Sequence, residues 1–241
     1  VSYWQEGGQE IRLDQLKKNG REMRALRGKD IAIIFQDPMT ALNPVYTVGR
    51  QIREMIRQHR RGMSRRELKR ESVRGLAAMG IPAADIRDGE YPHQFSGGMR
   101  QRAMIAMAMS CNPRILLADE PTTALDVTIQ AQILELVDRL RRERNMAVIL
   151  VTHNLGIVAQ LADFVAVMYA GNLVEYAPAR ELIDHPRHPY TRALLAAVPK
   201  LGGEGGRLST IPGHVPSPGE FPGGCRFFDR CARARSLPAT L

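Results

Sequence analysis

The 241-residue chain has no run of 18 or more apolar residues, so it offers no helix long and apolar enough to cross a bilayer. Its first thirty residues are polar and charged, unlike a secretory leader. The chain opens on Val1 rather than Met, and a missing N-terminus is the expectation. Cysteine is scarce. Cys111, Cys225 and Cys231 cannot staple a chain of this size, which favours a reducing, cytosolic compartment. Aromatics make up 5% of the chain, with Trp4 the single tryptophan. Acidic residues are outnumbered 25 to 34, leaving a net charge of +9. The surplus is local: residues 50–74 hold ten Arg or Lys against Glu54, Glu67 and Glu71. Nucleic acid, anionic lipid and a solvated helix surface all fit such a run, and the solvated surface is the plainest reading. A hydrophobic share of 44% is enough for one large domain, or one domain with an appendage.

What is present alternates between strand and helix. Residues 1–13 are weakly patterned, with a turn at Gly7-Gly8. "DIAIIFQ" (30–36) reads as a buried strand ending at Gln36, and "DPMTALNP" (37–44) as a loop set by two prolines. From Val48 to about Gly80 the pattern is helical, with Ile52, Met55 and Ile56 on one face. Ser64 and Glu67 have capping-box spacing for a second helix. Residues 81–95 read as irregular. A helix follows from near Gly98 to Cys111; its Met- and Ala-rich run fits tight core packing. "RILLAD" (114–119) and "MAVILVTH" (146–153) read as buried strands around an amphipathic helix over 128–143. "FVAVMYAGNLVEY" (164–176) reads as a hairpin turning at Gly171-Asn172. This pattern predicts an α/β fold with a mainly parallel sheet, interrupted by a helical insertion. "GGEGG" (202–206) reads as a flexible linker. Residues 200–241 read as a Pro/Gly-rich appendage with little core of its own.

Open α/β sheets place ligands at the carboxyl ends of their strands. Gln36, Asp119, Glu120 and His153 all fall at such ends. Asp119 and Glu120 are adjacent and leave the strand in different directions. Asp119 suits a Mg²⁺ shell, and Glu120 a general base that orients an attacking water. Taken singly, each has a plain alternative: a surface turn for the acids, a capped loop residue for His153, a satisfied amide for Gln36. Ser96-Gly97-Gly98 at a helix start offers backbone N–H groups and a positive helix end to an anion. Ser96 equally suits a simple N-cap.

In order and spacing, "FQDPMTALNP", "YPHQFSGGMRQR", "ILLADEPTTALD" and "VTHN" resemble the ATP-binding subunits of ATP-binding cassette (ABC) transporters. "HPYTRALLAAVP" (188–199) resembles the oligopeptide/dipeptide import branch. The resemblance covers about residues 1–235. It implies a RecA-like P-loop NTPase core with an inserted helical subdomain and the short C-terminal appendage. The implied divisions are 1–43 for the first part of the core, 44–111 for the helical subdomain, 112–199 for the rest of the core and 200–241 for the extension. ATP and Mg²⁺ are the implied cofactors. Gln36, Glu120 and His153 take catalytic positions, with Gln36 as the Q-loop residue and His153 contacting the γ-phosphate. Asp119 and Gln36 serve Mg²⁺. Gln94, Ser96, Gly97, Gly98 and Asp126 serve nucleotide at a dimer seam. The implied partners are a second ATPase subunit, two membrane-spanning permease subunits and, indirectly, an extracytoplasmic solute-binding protein. The implied place is the cytoplasmic face of a bacterial inner membrane, bound peripherally, with no nucleic acid.

One expected part is missing from this sequence. A phosphate loop reads G-x-x-x-x-G-K-[ST]. The single Gly-Lys pair is Gly28-Lys29, with Met23 where the first glycine belongs and Asp30 where Ser or Thr belongs. Binding of MgATP by this chain alone is therefore expected to be poor. Truncation and a non-catalytic remnant both fit the absence. A soluble ABC-type ATPase acting on nucleic acid or the ribosome is a further alternative, but no aromatics interleave the basic stretch as base stacking would want. "GCRFFDRC" (224–231) resembles part of an iron–sulfur cluster motif found in some members of the import branch. Such a centre usually needs four thiolates. Cys225 and Cys231 make half a site at most, and free thiols are the expectation.

Overall fold

A computed structural model describes residues 1–5, 7–37, 41–123, 125–197, 210–217 and 219–235. The expected linker at 202–206 and parts of the 37–44 and 121–126 loops lie outside them. The chain divides into two units, Val1–Val151 and Thr152–Leu241.

The first unit opens with an antiparallel hairpin of β1 (Ser2–Trp4) and β2 (Glu10–Arg12). Trp4 is exposed on it. Helix α1 (Arg21–Leu26) leads through the Gly28-Lys29 turn into β3 (Ile31–Ile34). A phosphate loop needs strand, loop, then helix. Here the order is helix, turn, strand, which removes Gly28-Lys29 from that role.

Helices α2 (Val48–His59) and α3 (Arg65–Ala78) form the insertion. The capping box at Ser64 and Glu67 is present. The Ser64 backbone N–H and hydroxyl hold the Glu67 carboxyl below its ordinary range. Several cations of the basic run are paired, Arg60 and Arg74 both with Glu71. After the short α4 (Ala84–Arg87), the Asp88 carboxylate is buried. It accepts from Arg53 Nη1 at 2.5 Å and from Ser72 Oγ at 2.5 Å. Its carbonyl accepts from Gly49 N at 3.0 Å. A Cβ on Gly49 would lie 1.9 Å from Asp88 Oδ1, so the close approach of α2 to this loop admits only glycine. Pro92 and Phe95 are buried further along, so residues 88–95 run pinned into α5 (Gly97–Met109).

Helix α5 is buried on most sides, as its Met- and Ala-rich sequence implies. It leads to β4 (Ile115–Asp119). Helix α6 (Val127–Arg144) buries Ile133, Leu136, Val137 and Leu140 at helical spacing. Asp126 caps its start, and Asn145, left-handed, ends it. Arg141, Arg142 and Arg144 in its last turn suit the negative end of the helix dipole. β5 (Ala147–Val151) closes the unit. β3, β4 and β5 form one parallel sheet, with Ile33 level with Leu117 and Leu117 level with Ile149.

The sequence reads these strands as buried, and the structure corrects that by half. Ala32, Ile34 and Leu116 pack into the core with α5 and α6. On the opposite face Ile33 is 42% exposed, Ile149 56% and Val151 53%. An unbroken apolar run states that a strand is hydrophobic. It does not state that both of its faces are covered.

In the second unit, α7 (Leu155–Leu161) is capped by Asn154. β6 (Phe164–Tyr169) and β7 (Asn172–Pro178) pair antiparallel. Their turn is Ala170-Gly171, one residue before the expected place, and both have positive φ. Helices α8 (Ala179–Asp184), α9 (Pro189–Ala196) and α10 (Ala232–Arg235) follow. The late segment has little core of its own but joins that of the hairpin. Phe227 is buried against Tyr169 and Tyr190. Arg230 donates to the carbonyls of Ile211 and Pro212 and to the Tyr169 hydroxyl.

Candidate active site

The sheet register builds the site. Asp119 pairs with Val151 and Ile34 with Ala118, so Gln36 and Glu120 leave their strands at the same level. Gln36 Nε2 donates to Glu120 Oε2 at 3.1 Å across 84 residues of sequence. Thr123 Oγ1 donates to the same oxygen at 2.8 Å. The Glu120 amide donates to the Val151 carbonyl at 2.9 Å. Glu120 has φ +41°, a left-handed conformation that costs a non-glycine residue about 1–2 kcal/mol. Such a cost persists where the surroundings over-determine the backbone, and three bonds to Glu120 do so here. The result is a half-buried carboxylate turned out at the strand end and held by two donors. Asp119, beside it, is exposed.

The residues fit a Mg²⁺ ion that arrives with phosphate. Among the described residues no group of three or more His, Cys, Asp or Glu could hold a metal. Asp119 offers a carboxylate. Gln36 uses its nitrogen toward Glu120, so its amide oxygen is the atom offered to a metal. Mg²⁺ commonly takes one or two carboxylates, phosphate oxygens and several waters. Cys225 is exposed, Cys231 half-buried, and both are free thiols.

Ser96 caps α5, its Oγ accepting from Met99 N at 3.3 Å. A capping hydroxyl keeps its own proton for a further acceptor, so the N-cap reading and the anion reading are compatible. Gly98 lies against α6: a Cβ there would come within 3.0 Å of Ile129 Cγ2. Asp126 Oδ1 accepts from Ile129 N at 2.9 Å. The glycine-rich helix start and the Asp126 segment are thus neighbours within one chain. Gln94 closes the turn before Ser96, its Oε1 accepting from Tyr91 N at 2.7 Å. His153 is exposed and follows β5 in the second unit.

Two further glutamines, Gln101 and Gln130, also hold the loop after Glu120. Gln101 is 1% exposed and donates through Nε2 to the Pro121 carbonyl at 2.5 Å. Gln130 Nε2 donates to the carbonyls of Thr122 and Leu125. One signal was available for Gln101. It is a lone amide one turn before Met104 and Ile105, on the buried stripe of an apolar helix.

The family described as "ABC transporter" matches residues 2–123, and "Oligopeptide/dipeptide transporter, C-terminal region" matches residues 174–236. An oligopeptide transport ATP-binding protein of Salmonella typhimurium is 53% identical over 217 residues, covering 90% of this chain and 64% of that protein. A dipeptide transport ATP-binding protein of Bacillus subtilis is 52% identical over 218 residues, covering 90% and 65%. The chain thus spans less than two thirds of the length of these relatives. A solved dimeric ATP-binding cassette, in a post-hydrolysis state with ADP and Pi, superposes with a TM-score of 0.62 at 27% identity. It covers 70% of this chain and 71% of its own. With a family match across half its length and relatives more than 50% identical over most of it, the chain belongs to the ABC transporter family.

Proposed function

We propose that this chain is the greater part of an ATP-hydrolysing subunit that powers an importer of peptides or similar small solutes. The observation that carries the reading is the Glu120 carboxylate, held by Gln36 and Thr123 at the carboxyl edge of a parallel sheet. Glu120 takes the proton of the attacking water as general base, and Gln36 orients that carboxylate. Asp119 and the Gln36 amide oxygen would hold Mg²⁺, which would supply positive charge against the phosphates. His153 contacts the γ-phosphate, an assignment that rests on its position in sequence after β5. Ser96, Gly97 and Gly98 present a capped helix start to the γ-phosphate of a nucleotide held by a partner subunit. Gln94 holds the turn before them, and Asp126 lies at the seam between the two.

The division into core (1–43 and 112–199), helical subdomain (44–111) and extension (200–241) follows from the same reading. The partners are a second ATPase subunit and two permease subunits, served by an extracytoplasmic solute-binding protein. The location is the cytoplasmic face of a bacterial inner membrane. Similarity of residues 174–236 to the oligopeptide/dipeptide transporter C-terminal region supports an importer over a nucleic-acid ATPase.

The test is steady-state hydrolysis. The full-length gene product should hydrolyse MgATP, and EDTA should abolish the activity. The 241-residue chain, which contains no phosphate loop, should bind MgATP weakly in a calorimetric titration. Micromolar affinity for this chain, or an inert full-length product, would contradict the assignment.

A further inference from the structure

We propose that Gln101 is a positioning residue that links the Ser96–Gly98 helix start to the Glu120 loop of the same chain. It would make the two nucleotide sites of a dimer sense one another. The inference rests on the function proposed above and adds a specific route between the sites.

Three observations carry it. First, Gln101 sits in α5, five residues after Ser96, about 7.5 Å along a rigid helix at about 1.5 Å per residue. Second, its amide is buried and donates to the Pro121 carbonyl, 20 residues away in sequence. Pro121 directly follows Glu120. Third, Glu120 holds a left-handed backbone at φ +41°, a sparsely populated well for a residue with a side chain. A small displacement of Pro121 therefore changes whether Glu120 stays in that well.

The loop from Glu120 to Asp126 has other tethers. β5 holds it through Glu120 N and the Val151 carbonyl. α6 holds it through Gln130 and the carbonyls of Thr122 and Leu125. Gln101 differs in its origin: its helix is the one whose start faces the partner's nucleotide. When Ser96, Gly97 and Gly98 close on that phosphate, α5 moves as a unit. Gln101 then moves the Pro121 carbonyl, and with it the backbone of Glu120. Occupancy of the partner's site is thus transmitted to the general base of this chain's own site. A coupling of this kind is a difference in affinity or rate between two states of one loop.

A simple packing role is the alternative, since any buried amide needs a partner. The two are separable by kinetics. Gln101→Met keeps the length, burial and helix propensity of the side chain but removes the donor. Gln130→Met cuts a tether of the same loop that does not come from α5. In the full-length gene product, the parent should hydrolyse ATP with a Hill coefficient above 1. Q101M should remain folded by its melting curve, lose about tenfold in kcat with KM within about twofold, and lose cooperativity. Q130M should keep the parent's Hill coefficient. If Q101M fails to fold, Gln101→Asn, which shortens the reach by one methylene, is judged by the same criteria.

A folded Q101M with the parent's kcat and cooperativity would overturn the link. So would equal loss of cooperativity in Q130M, which would mark general loop integrity, or a parent that hydrolyses ATP without cooperativity. A parent that hydrolyses no ATP would remove the functional reading as well. An active, cooperative parent beside an unaffected Q101M removes the link alone.

Discussion

Glu120→Gln in the full-length gene product should abolish turnover while leaving MgATP binding intact. The native carboxylate accepts from Gln36 Nε2 and Thr123 Oγ1 through one oxygen. A glutamine carbonyl oxygen can accept both bonds, more weakly than the carboxylate, so the loop and its left-handed backbone should survive. What is lost is the ability to take a proton from water. General-base catalysis contributes about 10²–10⁴-fold, roughly 3–5 kcal/mol of barrier at 1.36 kcal/mol per decade. Phosphate-release kinetics and equilibrium binding of ATP check the two halves separately. Normal turnover by E120Q would remove Glu120 from the base position.

The second large effect is expected from Gly97→Asp. Here helix physics and the proposed chemistry pull in opposite directions. A Cβ at Gly97 would meet Leu125 Cδ2 at an ordinary 3.7 Å, so a side chain can start there without a clash. A carboxylate in the first turn of α5 also suits the helix dipole, by about 0.3–1 kcal/mol. The variant should therefore melt at or above the parent's temperature. Against a phosphate the same charge is repulsive. At about 4 Å and an effective dielectric of about 20, a unit pair interacts by roughly 4 kcal/mol, or about three decades. Repulsion wins by several-fold. Hydrolysis should fall on the order of 10³-fold in a protein that is no less stable. Undiminished hydrolysis would mean that Ser96-Gly97-Gly98 is a helix start and nothing more.

How far the sequence carries depends on the kind of interaction. The strands, the helical insertion and the capping box at Ser64 and Glu67 are set by local periodicity and hydrogen-bonding geometry, and they stand where the pattern puts them. The meeting of Gln36 with Glu120 was legible as a shared strand-end level, because parallel register keeps strand ends together. The backbone of Glu120 was not. Its positive φ goes with bonds to Gln36, Thr123 and Val151, which lie far apart in sequence or depend on exact loop geometry. Exposure of Ile33, Ile149 and Val151 was likewise hidden, since an apolar run carries no record of which face is covered. The hairpin turn slipped by one residue because Ala170 adopts the left-handed conformation that pattern reasoning reserves for Gly171 and Asn172. Asp88 reads as one acid in a polar loop, yet it sits buried between Arg53 and Ser72.

In the proposed dimer the 96–98 helix start serves a partner's nucleotide while Glu120 serves the chain's own. Mixing two inactive variants separates this from action within one chain. In a dimer of one E120Q copy and one G97D copy, one site combines both changes. The other combines an intact Glu120 with an intact Ser96-Gly97-Gly98. If the helix start acts across the dimer, the mixture should regain ATP hydrolysis that neither variant shows alone. If the mixture stays as inactive as its components while forming mixed dimers, both elements act within one chain and the helix start does not serve a partner's nucleotide.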